Sequence, residues 1–144
     1  MLSNQFLSDL AGARSEAIKR GTRVVLRKAS NGTFCVSSGG NQGWLVFEDQ
    51  NNNGARDATE RLVSQLGAQP AGWTIRGAFT GAHFVSYHPS GRTMLPSGAL
   101  QAGTQTICRA SHSPHRWRAG CHYQCRKAAH AAYPANAVRL GALF

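Results

Sequence analysis

Leu7-Ser8-Asp9-Leu10-Ala11-Gly12-Ala13-Arg14-Ser15-Glu16-Ala17-Ile18-Lys19-Arg20-Gly21 is the stretch that decides the fold of this chain. Phe6, Leu10, Ala13 and Ala17 recur at helical spacing, with Leu7 and Ile18 beside them. Asp9, Arg14, Glu16, Lys19 and Arg20 fall mostly on the other side, as an amphipathic helix requires. Gly21 supplies a stop. Thr22 to Lys28 follows at once and alternates, with Val24 and Leu26 on one side and Val25 on the other, which predicts a strand directly behind the helix.

The rest of the readable chain is short strands and turns. Asn31-Gly32 is a hairpin signal, with Thr33 to Ser37 as the return strand. Ser38 to Gly43 reads as a loop, and Trp44-Leu45-Val46-Phe47 as a fully apolar strand. Arg61 to Leu66, Trp73 to Arg76, His83 to Tyr87 and Gly103 to Arg109 are further strands, with Thr80-Gly81 and His88-Pro89-Ser90-Gly91 as turns. One N-terminal helix and several closely spaced antiparallel strands predict an α+β domain in which the helix lies on the sheet and closes the core. Phe6, Leu10, Ala13 and Ala17 are expected to touch Val24, Leu26, Trp44 and Val46. Trp44 and Trp73 read as core residues.

The chain has 144 residues, 42% of them hydrophobic, enough for one domain with a core. Its net charge of +10 is unevenly laid down. All six acidic residues, Asp9, Glu16, Glu48, Asp49, Asp57 and Glu60, precede position 61, and every formal charge beyond them is positive. Such a half attracts polyanions, and it serves equally as a solvated basic surface. No run of about 18 apolar residues is present to cross a bilayer as a helix. Nor does a basic start with an apolar core mark a signal peptide.

Four segments together resemble the minor pilins and pseudopilins of the GspH/FimT family. They are Ala13 to Gly21; Gly43-Trp44-Leu45-Val46-Phe47 followed by Asp49, Asn51, Asn53, Gly54 and Asp57; Val85-Ser86-Tyr87-His88-Pro89-Ser90-Gly91-Arg92; and Gly103-Thr104 through Ile107-Cys108. They arrive in the family's order over roughly residues 5–110. The resemblance implies a pilin-like fold and a non-enzymatic subunit. Such a subunit assembles through its N-terminal helix into a type IV pilus or a type II secretion filament, at the inner membrane and periplasm, and takes part in filament assembly and initiation. Its partners would be other pilin or pseudopilin subunits. The membrane would be met only through the first half of the family's helix, which this chain lacks, so a chain truncated at its front is expected. Some members also look like DNA-binding subunits for DNA uptake. For that alternative, Arg76, Arg92 and Arg109 in the acid-free half are the candidate phosphate contacts.

The segment Asp49 to Glu60 matches a calcium-loop pattern. Asp49, Asn51 and Asn53 stand at alternate positions, Gly54 turns the chain, Ala55 offers a carbonyl, and Asp57 and Glu60 follow at ligand positions. Calcium is the one cofactor this suggests. Against it, a strand and not a helix precedes the loop, Arg56 adds positive charge, and three Asx residues with a Gly also make a self-bonded turn. Ser86 and His88, adjacent in a strand and its turn, are badly placed to act as nucleophile and base. His112, His115, Cys121, His122 and Cys125 lie close enough in sequence for zinc, but without the usual tight knuckle.

A bridge between Cys35 and Cys108 would suit an extracytoplasmic domain, and two buried free thiols would suit the same strands. The domain is expected to occupy residues 1–110, and 111–144 to be a poorly ordered basic tail. Arg116 to Lys127 shows no alternation and crowds Cys, His and Arg. A one-base frame shift past His115 permits codons for a Val/Ile strand of the kind the family has there. The nucleotide sequence tests this directly: a next frame without such a run disproves it.

Overall fold

Helix α1 runs from Leu2 to Arg20 and stops where expected, with Gly21 in the left-handed region at φ 65°. The Gly21 amide closes the last turn on the Ala17 carbonyl at 3.0 Å. The structure, a computed structural model, describes residues 2–30, 34–35, 42–67, 69, 73–79, 83–111 and 122–130. Eight strands follow the helix: β1 Val24–Ser30, β2 Phe34–Cys35, β3 Gln42–Glu48, β4 Leu62–Leu66, β5 Trp73–Phe79, β6 Phe84–Tyr87, β7 Gly103–Ser111 and β8 His122–His130.

All strand pairs are antiparallel and they make two sheets. In the first, β1 is central. It pairs with β3 along one edge, and β4 extends that side. Along its other edge β1 pairs with β6 through Val24–Arg27 and with β2 at Ala29 and Ser30. The second sheet has the order β5-β7-β8. This is the α+β architecture expected from the sequence, with the helix packed on antiparallel strands.

The period-two pattern of β1 and β3 sorts their residues onto two faces. Leu2, Phe6, Leu10, Ala13 and Ala17 of the helix join Val24, Leu26, Trp44, Val46, Val85 and Tyr87 in the main core, where Ile75 and Ile107 bring in the second sheet. The Phe6 and Trp44 rings meet edge to face with centroids 5.0 Å apart, the arrangement that sets a ring's positive edge against a negative face. Val25, Ala29, Leu45 and Phe47 form a smaller cluster on the opposite face, with Leu62 and Phe84 beside them. The first sheet is therefore apolar on both sides.

Trp44 is fully buried, and its indole N–H donates to Asp9 Oδ2 at 2.6 Å. Asp9 also accepts from Gln5, one turn back on the helix. Asp9→Ala strands that N–H and is expected to cost about 1–3 kcal/mol. Asp9→Asn retains an acceptor and should recover much of the loss; chemical denaturation of the two variants measures the difference.

Several boundaries differ from the sequence reading. The first strand begins at Val24, because Thr22 and Arg23 carry the chain out of the Gly21 stop. The return strand is described at Phe34–Cys35, and Thr33, Val36 and Ser37 lie outside the described residues. β5 continues past Arg76 to Phe79, held by β7 along its whole length. Gly103 to Arg109 is not the final strand: β7 reaches Ser111, and His122–His130, placed by the sequence in the tail, pairs with all of it. That strand lacks apolar alternation, so its pairing reflects the neighbouring ladder and not its own propensity. Residues 112–121 and 131–144 lie outside the described residues.

Candidate functional site

The loop between β3 and β4 folds around its own acidic side chains. Asp49 is 1% exposed. Its Oδ1 accepts from the Asn53 amide at 3.0 Å and its Oδ2 from the Gly54 amide at 2.9 Å. Asn51 Oδ1 accepts from the Asn53 amide and Asn53 Oδ1 from the Ala55 amide. Glu60 reaches back with Oε1 to the Gln50 amide at 2.9 Å and Oε2 to the Asp57 amide at 3.0 Å. Asp57 Oδ2 accepts from the side-chain amides of Asn51 and Asn53. Asn52 and Gly54 hold positive φ, 59° and 71°, as tight Asx turns need.

The structure thus brings Asp49, Asn51, Asn53, Asp57 and Glu60 into one loop, each bonded to its neighbours. Among the described residues no group of three or more His, Cys, Asp or Glu side chains is placed to hold a metal.

This loop is anchored to the sheet by two arginines. Arg27 donates to the Gly54 carbonyl and its guanidinium sits 5.7 Å from the Phe84 ring centroid. Gly54 itself lies on that ring: a Cβ added there would stand 3.3 Å from Phe84 Cζ. Arg23, just ahead of β1, is buried. Its Nε donates to Asn52 Oδ1 at 2.8 Å, and its Nη1 to Ser86 Oγ and the Met94 carbonyl, both at 2.6 Å. Burial pushes the guanidinium below its ordinary range, while the Asp49 charge acts in the opposite direction.

Arg23 thereby ties together the loop, β6 and the segment after it. That segment, Thr93 to Gln101, protects the open edge of β6. The fully buried Gln101 donates from Nε2 to the Phe84 carbonyl and accepts the Ser86 amide on Oε1, both at 2.8 Å. Its backbone pairs with Thr93.

A polar groove of about 390 Å³ opens where these parts meet the end of the helix, lined by Gly21, Thr22, Arg23, Asp49, Gln50, Asn52, His88, Pro89 and Pro96. Ser86 Oγ accepts a hydrogen bond from Arg23, and His88 Nδ1 engages Ser90 within its turn. Each side chain is thus engaged with a partner other than the other. Gly91, at φ 77°, lets the turn lie against the helix, where an added Cβ would stand 2.9 Å from Ile18 Cδ1. Tyr87 beside it is buried, which pushes its phenol up from 10 to about 12; Arg14 opposes the shift. The folded state therefore holds the proton more tightly, and stability is expected to fall as pH rises from 10 toward 12. Tyr87→Phe should flatten that alkaline decline in a pH series of melting curves.

The helix is docked by one stripe and open on the other. Ser8, Ala11, Gly12, Ser15 and Ile18 are exposed, and space beyond Gly12 is empty to 4 Å. At its C-terminal end Arg20 pairs with Glu16 and, at 3.0 Å, with Glu48 of β3. No helix among the described residues is long and apolar enough to cross a membrane.

The three candidate phosphate contacts are dispersed. Arg92 is exposed in the turn after β6. Arg76 and Arg109 lie on β5 and β7, where Trp73 opposes Arg109 and Arg76 opposes Thr106, so the two arginines occupy register positions of opposite parity. Cys35 lies on β2 in the first sheet and Cys108 on β7 in the second. Of the candidate zinc residues, His112, His115 and Cys121 lie outside the described residues, and His122 and Cys125 are on β8.

Sequence reading missed Arg23 and Gln101, polar residues just ahead of β1 and β7 with no motif around them. It also placed Asp9 among the outward residues. The one signal available was Trp44 itself, since a buried indole N–H needs an acceptor.

No curated protein matches the chain, and no solved structure does. The family model for type II transport protein GspH matches residues 2–120, which takes in the helix, both faces of the first sheet, the anchored loop and the strands of the second sheet up to β7. The chain belongs to the GspH family of type II transport proteins.

Proposed function

We propose that this chain is a minor, structural subunit of a type II secretion filament, or of the related type IV pilus, and that it joins its neighbours through the exposed stripe of α1. The observation that carries this reading is the division of the helix into two faces. Leu2, Phe6, Leu10, Ala13 and Ala17 are spent on the domain's own core, which leaves Ser8, Ala11, Gly12 and Ser15 to solvent, with Ile18 half-exposed beside the Gly91 turn. Small residues let a second helix approach closely.

The experiment is Gly12→Leu in this chain, co-expressed with the subunits of a type II secretion filament in a secretion-competent cell. A side chain at this position meets nothing in the domain, and leucine is the better helix former by roughly 1 kcal/mol. The isolated domain should melt no lower than the parent, while co-purification with the other filament subunits falls at least tenfold. Unchanged co-purification would sink the reading.

A second reading, DNA binding through the later half, rests on the second sheet: β5, β7 and β8 carry Arg76, Arg109, Arg126 and Lys127 and no acidic residue. Filter binding of duplex DNA at two salt concentrations tests it, since phosphate neutralisation gives a steep salt slope. Flat or absent binding removes it.

A further inference from the structure

We propose that Cys108 and Cys125 form a disulfide that clamps β8 to β7. The two residues are direct partners in the antiparallel register of these strands. Opposed residues in an antiparallel pair stand about 4.5–5.5 Å apart at Cα, whichever of the two pair types they occupy. Disulfides span Cα separations of about 4.4–6.8 Å. The backbone therefore already meets the distance a bridge requires, without movement of either strand. Cys35 is placed differently, on β2 opposite Ala29 in the other sheet.

The composition of β8 supplies the reason for a clamp. Its nine residues include no Val, Ile, Leu or Phe, so the strand has little apolar surface with which to hold its place. It is also the terminal strand of its sheet, and a terminal strand that detaches leaves a row of unpaired backbone groups behind it. A bridge to β7 restricts the unfolded chain between the two cysteines and keeps the strand in register.

The chemistry balances with a disulfide oxidant. Two S–H bonds are lost and one S–S bond forms, and two electrons and two protons pass to an oxidant such as oxidised glutathione, which is reduced to two thiols through a mixed disulfide.

The test exposes the full chain to oxidised glutathione, blocks residual thiols and digests with trypsin without reduction. Trypsin separates Thr93–Arg109 from Ala119–Arg126, and the bridge would join these two peptides. Cys121 shares the second peptide, so Cys121→Ser and Cys125→Ser are run beside the parent. The linked peptide is expected in the parent and in Cys121→Ser, lost in Cys125→Ser, with the protein monomeric on a non-reducing gel. Free thiol at Cys108, a link from Cys108 to Cys35 or to Cys121, or a dimer between chains would each overturn the assignment.

Discussion

Leu10→Asp is expected to unfold most of this protein at room temperature. Leu10 sits in the middle of the helix's inward stripe, 7% exposed, in the cluster that holds Phe6, Trp44 and Val46. Truncating such a leucine to alanine costs about 2–5 kcal/mol. The aspartate adds a carboxylate to that apolar cluster, so the loss should exceed the alanine value. A domain has about 5–15 kcal/mol in total, and this one change removes a large share. Urea titration followed by tryptophan fluorescence, with Leu10→Ala as the comparison, gives the number. A midpoint equal to the parent's would mean that the helix does not dock.

Gly43→Ala should come second. Gly43 is the second residue of β3, beside the end of β4, and an added Cβ would stand 1.7 Å from the Leu66 carbonyl oxygen and 2.6 Å from that of Gly67. Both are backbone atoms, so no rotamer relieves the contact. The end of β4 must move away, and the Trp44–Leu66 pairing goes with it. Overpacking of this kind costs about 1–3 kcal/mol, and the backbone origin of the clash places it at the upper end. Gly67→Ala is the control, because a Cβ there meets nothing. Comparable melting of the two variants would show that β3 and β4 are not so closely apposed.

Both predictions fall on elements that the amino-acid sequence makes legible by itself. The helix declares itself through four apolar positions on one stripe and a glycine after it, and Trp44 to Phe47 through an unbroken apolar run too short for a helix. These are patterns imposed by burial, and burial is what the first sheet does on both its faces. β8 is illegible for the same reason: nothing in its residue types records which neighbour it pairs with.

The loop after β3 shows a different limit. The residues that match a calcium loop are the residues that make Asx turns. Only the direction of each carboxylate, toward local amides, tells how the loop satisfies itself. Arg23 is hidden because its three partners come from positions 52, 86 and 94, and no local spacing rule connects them.

The use of the acidic side chains has a consequence for how copies of this chain meet. Asp9 holds an indole, Glu16 and Glu48 hold Arg20, and Asp49, Asp57 and Glu60 hold their own loop. None of the six is exposed. The carboxylates act as internal mortar, and the net charge of +10 is left with little of the opposite sign on the outside to offset it. At physiological salt such a field extends about 8 Å from the surface. A long run of identical copies would stack like charge on like charge. Contact between copies of this chain should therefore be weakest at low salt and strengthen as salt screens the repulsion.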